Sequence, residues 1–159
     1  MKSFVNSAIR KSAITASHVL NEAYCYSKPV PFSRGMRVES SAATFLFISG
    51  TASVNEEGLT IHIGDVEAQC WRTFRNIQAL LESEGASWKD VVRTTCYLRD
   101  IERDYAVFNQ VRKAFYDEQE LDPYPASTGV QAILCRPELL VEIEAIAMIP
   151  ADAGGYLGR

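Results

Sequence analysis

The segment Leu139 to Ile149, LLVEIEAIAMI, is apolar on both of the faces that a β-strand presents, apart from two acids. Leu140, Glu142, Glu144, Ile146 and Met148 share one face, and Val141, Ile143, Ala145, Ala147 and Ile149 share the other. A strand of that kind belongs in the middle of a sheet with cover on both sides. The rest of the chain must therefore supply flanking strands and covering helices. Its two carboxylates must pair with cations, accept backbone donors or have raised pKa values. A carboxyl kept protonated near neutral pH is a ready general acid, so Glu142 and Glu144 point to a small-molecule site. The competing reading is an ion pair with an arginine at a subunit interface.

The other elements can be read in order. Lys28 to Gly35, KPVPFSRG, is turn-rich and too proline-dense for a helix. Arg37 to Ser41 and Thr44 to Ser49 read as a hairpin joined through Ser40 to Ala43. Asp65 can cap a helix whose apolar positions Val66, Cys70, Phe74, Ile77 and Leu81 recur every three or four residues up to Gly85. Cys70, Trp71 and Phe74 there read as core and flank packing. Val91 to Asp100 is a strand, with Val92, Thr94, Cys96 and Leu98 on one face and Val91, Arg93, Thr95 and Tyr97 on the other. Asp100 or Asp104 then caps a second helix that buries Tyr105, Phe108, Val111 and Phe115 and stops at the DPYP of residues 122–125. Strands at Thr128 to Leu134 and Leu139 to Ile149 close the chain, before a fraying tail GGYLGR. The order ββαβαββ predicts an α+β domain, a mixed sheet with both helices on one face.

At 159 residues the chain suits one domain with one core. A formal charge of −4 without a basic stripe argues against nucleic acid as a partner, and no apolar run is long enough to span a bilayer. Cys25, Cys70, Cys96 and Cys135 match no metal-ribbon spacing and read as reduced thiols in a cytoplasmic protein. With His18 and His62 the only histidines, neither a metal cage nor a Ser/His/Asp triad is expected, and no cofactor is. The first 20 or so residues lack any acid before Glu22 and carry Lys2, Arg10 and Lys11 among Ser and Ala, a composition similar to a transit peptide. A plain disordered or helical extension is the preferred expectation.

Other candidate site residues sit at turns. Arg136 leads into the closing strand and can clamp a carboxylate in a bidentate fork; the alternative is a solvated loop arginine. Cys135 has no histidine nearby in sequence to activate it. Ser49, Gly50, Thr51 and Ala52 end a strand with small hydroxyl residues and close backbone, and Ala126 to Gly129 has the same character.

FISGTA at 47–52, QCWRTFRNIQALLESEGAS, DVVRTTCYLRDI, PAST and LVEIEAIA occur in this order between residues 29 and 149. Together they resemble the Rid (YjgF/YER057c/UK114) family. The resemblance implies a RidA-like domain at 24–150 between an extension at 1–23 and a flexible tail at 151–159. It also implies a chorismate-mutase-like fold and a homotrimer with small-molecule pockets between subunits. Imine-deaminating members convert enamines and imines such as 2-aminoacrylate to keto acids and ammonia. Their pocket holds a tyrosine in the amino-terminal loop, a serine in the SG turn, an arginine after the PA dipeptide and the first glutamate of the closing strand.

Ser49 and Glu142 match that set. Phe32 stands at the tyrosine's place and Ser127 at the arginine's, which removes the usual carboxylate anchor. ASTG with CRPELLVEIEA also resembles the carboxy-terminal half of chorismatases, in which a cysteine seven positions before the strand glutamate belongs to the site. Cys135 and Glu142 keep that spacing. The resemblance therefore implies a hydrolytic enzyme for a small carboxylated imine, enamine or enol ether, with Glu142 as the catalytic acid. Ser49, Thr51, Phe32, Ser127, Thr128, Cys135 and Arg136 would line the substrate. The alternative is a non-catalytic trimer that binds a small metabolite. The ribonuclease activity attached to relatives is not expected here, given the acidic charge and the lack of a suitable histidine pair.

Overall fold

A computed structural model of the chain describes residues 9–151. One six-stranded sheet runs in the order β1-β2-β3-β6-β4-β5. Its strands are β1 Arg10–Ile14, β2 Gly35–Glu39, β3 Ala43–Ala52, β4 Val91–Leu98, β5 Ala126–Gln131 and β6 Val141–Pro150, and its helices are α1 Val66–Ser83 and α2 Ile101–Glu118. All neighbouring strands are antiparallel except β4 and β5, which run parallel around α2. The sheet is mixed and α+β, as the element order predicts. The strand with two apolar faces, β6, is central, paired with β3 on one side and β4 on the other.

Val141, Ile143, Ala145 and Ala147 of β6 are buried under the helices. Phe74 of α1 stacks on Phe115 of α2 at 4.9 Å, and Trp88 meets both rings edge-on. All three side chains are essentially inaccessible, so the aromatic cluster joins the two helices over the sheet. Asp65 caps α1 by accepting from the Ala68 amide, and Asp100 caps α2 through the Arg103 amide. Asp104 lies inside α2, buried and paired with Arg103 at 2.6 Å.

Four expectations are corrected. The extension becomes a strand at residue 10: β1 pairs with β2, and Ile14, Ala16 and Leu20 are fully buried. In β4 a bulge between Val91 and Arg93 puts Val91 in the core and Val92 outside, because the extra residue shifts the alternation by one. Tyr105 is 44% exposed rather than buried, while Phe108, Val111 and Phe115 do face the core. The penultimate strand begins at Ala126 and ends at Gln131, with all six residues exposed. Residues 1–8 of the transit-like segment and the GGYLGR tail lie outside the described residues.

No helix among the described residues is long and apolar enough to cross a membrane. All four cysteines are free, Cys25 and Cys135 exposed and Cys70 and Cys96 buried. The Cys70 thiol is pushed up to about 12, chiefly by burial, which leaves it an inert core residue.

Candidate functional site

In β3, Ile48 pairs with Ala145 and Thr51 with Ile143. Ser49 and Gly50 therefore stand opposite the single residue Glu144, a β-bulge that bends the strand and re-aims its side chains. Glu142 and Glu144 project from β6 on the face away from the helices. The carboxylate of Glu142 folds over Gly50, which has no side chain to obstruct it. Burial and the neighbouring Glu144 raise the Glu142 pKa above the ordinary carboxylate value, with Arg136 opposing them. Glu144 accepts from the Tyr97 hydroxyl at 3.3 Å.

These acids line a cavity of about 810 Å³, to which Ser49, Phe32, Cys135 and Arg136 also contribute. That volume suits a small ligand. The Ser49 hydroxyl donates to the Ser33 carbonyl at 2.7 Å, so its remaining capacity is to accept. Opposite the acids, Arg136 donates through Nη1 to the Gly58 carbonyl at 2.7 Å and to Thr60 Oγ1 at 3.3 Å. Its guanidinium lies 5.4 Å from the centre of the Tyr26 ring. Gly58 has a positive φ of 81°, and a Cβ on it would come within 2.5 Å of the Tyr26 ring. Glycine there makes the turn and lets Tyr26 pack flat against it.

Polar side chains from beneath the sheet fix the loops that carry these groups. Arg99 donates to the carbonyls of Leu139 and Arg136, each at 2.6 Å. Gln69, fully buried on α1, donates to the Glu138 carbonyl and accepts from the Leu140 amide. Asn76 of α1 donates to the carbonyls of Ala52 and Val54. Among the described residues no cluster of His, Cys, Asp or Glu is suited to hold a metal ion.

Of the residues expected at the site, the structure brings together Glu142, Ser49, Phe32, Cys135 and Arg136. Thr51 faces the helices instead, 3% exposed, its hydroxyl donating to the Ser49 carbonyl at 2.9 Å; the bulge reverses the face that simple alternation assigns it. Ser127 and Thr128 lie on β5, away from this cavity. Ser127 accepts from Arg112 and from the Thr94 hydroxyl on the helix side, and Thr128 accepts from Arg93 on the other. Tyr26 and Arg34, which also line the cavity, were not legible as site residues. Both belong to a loop whose path is set by contacts distant in sequence. An arginine following two prolines was the one signal available.

Comparison with known proteins places this geometry. The model of the endoribonuclease L-PSP family matches residues 26–149. The 3-aminoacrylate deaminase RutC of Acinetobacter baylyi is 32% identical over 110 residues, covering 69% of this chain and 83% of that protein. The YjgF gene product of E. coli superposes with a TM-score of 0.68 at 27% identity, over 86% of this chain and 97% of its own. E. coli TdcF, solved with bound serine, superposes with a TM-score of 0.69 at 27% identity, over 87% and 98%. The chain belongs to the Rid (YjgF/YER057c/UK114) family, whose model bears the name endoribonuclease L-PSP.

Proposed function

We propose that this protein hydrolyses a small carboxylated imine or enamine in the cavity between Glu142 and Arg136. One observation carries the reading: a carboxyl held toward its protonated form faces the same cavity as an arginine that forms no ion pair with a carboxylate of the described residues. Arg136 binds the substrate's acid group through its uncommitted Nε and Nη2, and Ser49 Oγ accepts from the substrate nitrogen. Glu142 gives its proton to the enamine carbon or the imine nitrogen. Water then adds to the C=N carbon, the C–N bond breaks, and ammonia leaves as the C=O bond forms. For 2-aminoacrylate and one water the products are pyruvate and ammonia. The printed name of the RutC relative, a 3-aminoacrylate deaminase, and the serine bound to TdcF support a ligand of this size and chemistry. An enol ether such as chorismate has the same requirement for a proton donor beside a carboxylate clamp, and Cys135 in the cavity wall suits that variant of the reading.

A second reading has its own support. Phe32 brings no hydroxyl to the cavity and Ser127 stands away from it, which favours a non-catalytic protein that binds a metabolite. Self-association as a homotrimer belongs to both readings. Phe47 and Met148, 43% and 46% exposed on the uncovered face of the sheet, support a partner there.

The deciding experiment gives the protein freshly generated 2-aminoacrylate and, separately, chorismate, and follows product by absorbance. Consumption of either, abolished by Glu142→Gln with the oligomer intact, supports catalysis. If neither is consumed while a small acid raises the melting temperature, the protein is a binder.

A further inference from the structure

Two arginines line the cavity, and among the described residues neither is within ion-pair reach of a carboxylate. Arg34 is 4% exposed. Its Nε donates to the Asn21 carbonyl at 3.0 Å, and its Nη2 donates to the same carbonyl and to the Tyr26 hydroxyl. Nη1 of Arg34 has no acceptor among the described residues. In Arg136 it is Nη1 that is committed, to Gly58 and Thr60, while Nε and Nη2 have no acceptor among the described residues. Tyr26 joins the two. The guanidinium carbons of Arg34 and Arg136 lie 5.2 and 5.4 Å from its ring centre, so they are no further apart than the sum of those distances. The Tyr26 hydroxyl accepts from Arg34, and its own proton has no acceptor among the described residues.

This wall thus offers the cavity two N–H groups from Arg34, three from Arg136 and one O–H from Tyr26. A single carboxylate has about four acceptor positions, fewer than the donors presented. Two half-sequestered guanidinium charges also need more counter-charge than one acid group gives. The other charged groups lining the cavity do not supply it. Glu144 is engaged by Tyr97, Glu142 is folded onto Gly50 and held toward its neutral form by burial and Glu144 against the pull of Arg136, and Lys28 and Glu57 are exposed to solvent.

We propose that the ligand is a short-chain dicarboxylate, with one acid group on Arg136 and the second on Arg34 Nη1 and the Tyr26 hydroxyl. Resting on the hydrolytic reading above, this makes the substrate the 2-imino or enamine form of a dicarboxylic acid. Its C=N carbon lies between the two clamps and in reach of Glu142. Hydrolysis replaces the nitrogen with the oxygen of water and releases ammonia and a 2-oxo dicarboxylate. Tyr26 is then a specificity-determining residue, and Gly58 is required because Tyr26 lies against it.

The test is calorimetric titration of the full chain with succinate, glutarate, propionate and inorganic phosphate. Succinate or glutarate is expected to bind at least tenfold more tightly than propionate. Tyr26→Phe and Arg34→Gln should each bring the succinate and glutarate affinities down toward that of propionate. Equal affinity for mono- and dicarboxylates, a preference that survives both variants, or tighter binding of phosphate overturns the dicarboxylate assignment and leaves the hydrolytic reading standing. If no carboxylate binds at all, the hydrolytic reading falls with it. The wild-type comparison decides the matter even where a variant fails to fold.

Discussion

A Cβ built on Gly50 would stand 2.1 Å from Oε1 of Glu142. The carboxylate therefore occupies space that any other residue at position 50 would claim. The atom in the way is the end of a flexible side chain, so Gly50→Ala should displace the acid without unfolding the sheet. Turnover should fall at least tenfold while the melting temperature moves by only a few degrees, which a paired activity and melting measurement would read.

Glu142→Gln should alter the pH dependence of stability. The folded-state pKa of Glu142 lies above the ordinary carboxylate value, so between the two the folded protein holds more protons than the unfolded chain. Stability is then fully present below the ordinary value, near pH ~4, and is lost as pH rises through the folded pKa. The variant should lack this decline and match or exceed the wild type in stability at neutral pH. Urea melts of both proteins across that range test the sign.

Arg99→Ala should loosen the loop that carries Cys135 and Arg136. Two charge-assisted hydrogen bonds to the carbonyls of Leu139 and Arg136 would go, at a cost of about 2 kcal/mol. Ligand affinity should weaken with stability, since Arg136 is positioned through that loop. Urea denaturation with ligand titration separates the two effects.

Phe74→Ala removes the ring that touches Trp88, Phe108, Phe115 and Tyr116 at once. A loss of about 3–5 kcal/mol is expected, large enough for the purified variant to be partly unfolded by near-ultraviolet circular dichroism.

The amino-terminal strand is a separate test of what counts as the domain. Deleting residues 1–15 removes β1 and the fully buried Ile14, and should lower the denaturation midpoint markedly. An unchanged midpoint would show that the strand contributes nothing to the fold.

Much of this architecture was legible because it rests on local periodicity. Phe74, Ile77 and Leu81 lie on one stripe of α1, Asp65 and Asp100 cap the two helices as short polar residues do, and β6 announces itself as central. Glu142 was legible for the same reason, as an acid on an apolar strand. What escaped depends on register. Val91 and Thr51 take the opposite face from the expected one because a bulge adjoins each, and a bulge leaves no periodic trace. Strand β1 escaped because RKSAI buries only Ile14, so its pairing depends on β2 lying alongside. Tyr26 and Arg34 escaped because contacts with Asn21, Gly58 and Arg136 define their place, and none of these is near enough in sequence to form a pattern.

The bulge at Ser49 and Gly50 also constrains how this gene can change. It sets the two halves of β3 out of phase, so that Ile48 and Thr51, three positions apart, both face the helices. Loss of one codon at the bulge would leave one residue opposite Glu144 and restore a regular ladder, with Leu46, Ile48 and Thr51 still facing the helices. What would go is the bend, and with it the opening over which the Glu142 carboxylate folds. A single-residue deletion at the bulge therefore costs the site and spares the core, whereas one elsewhere in β3 turns part of the strand over and costs the core. Descendants of this chain should therefore vary in which residues fill β3 and hold its length constant.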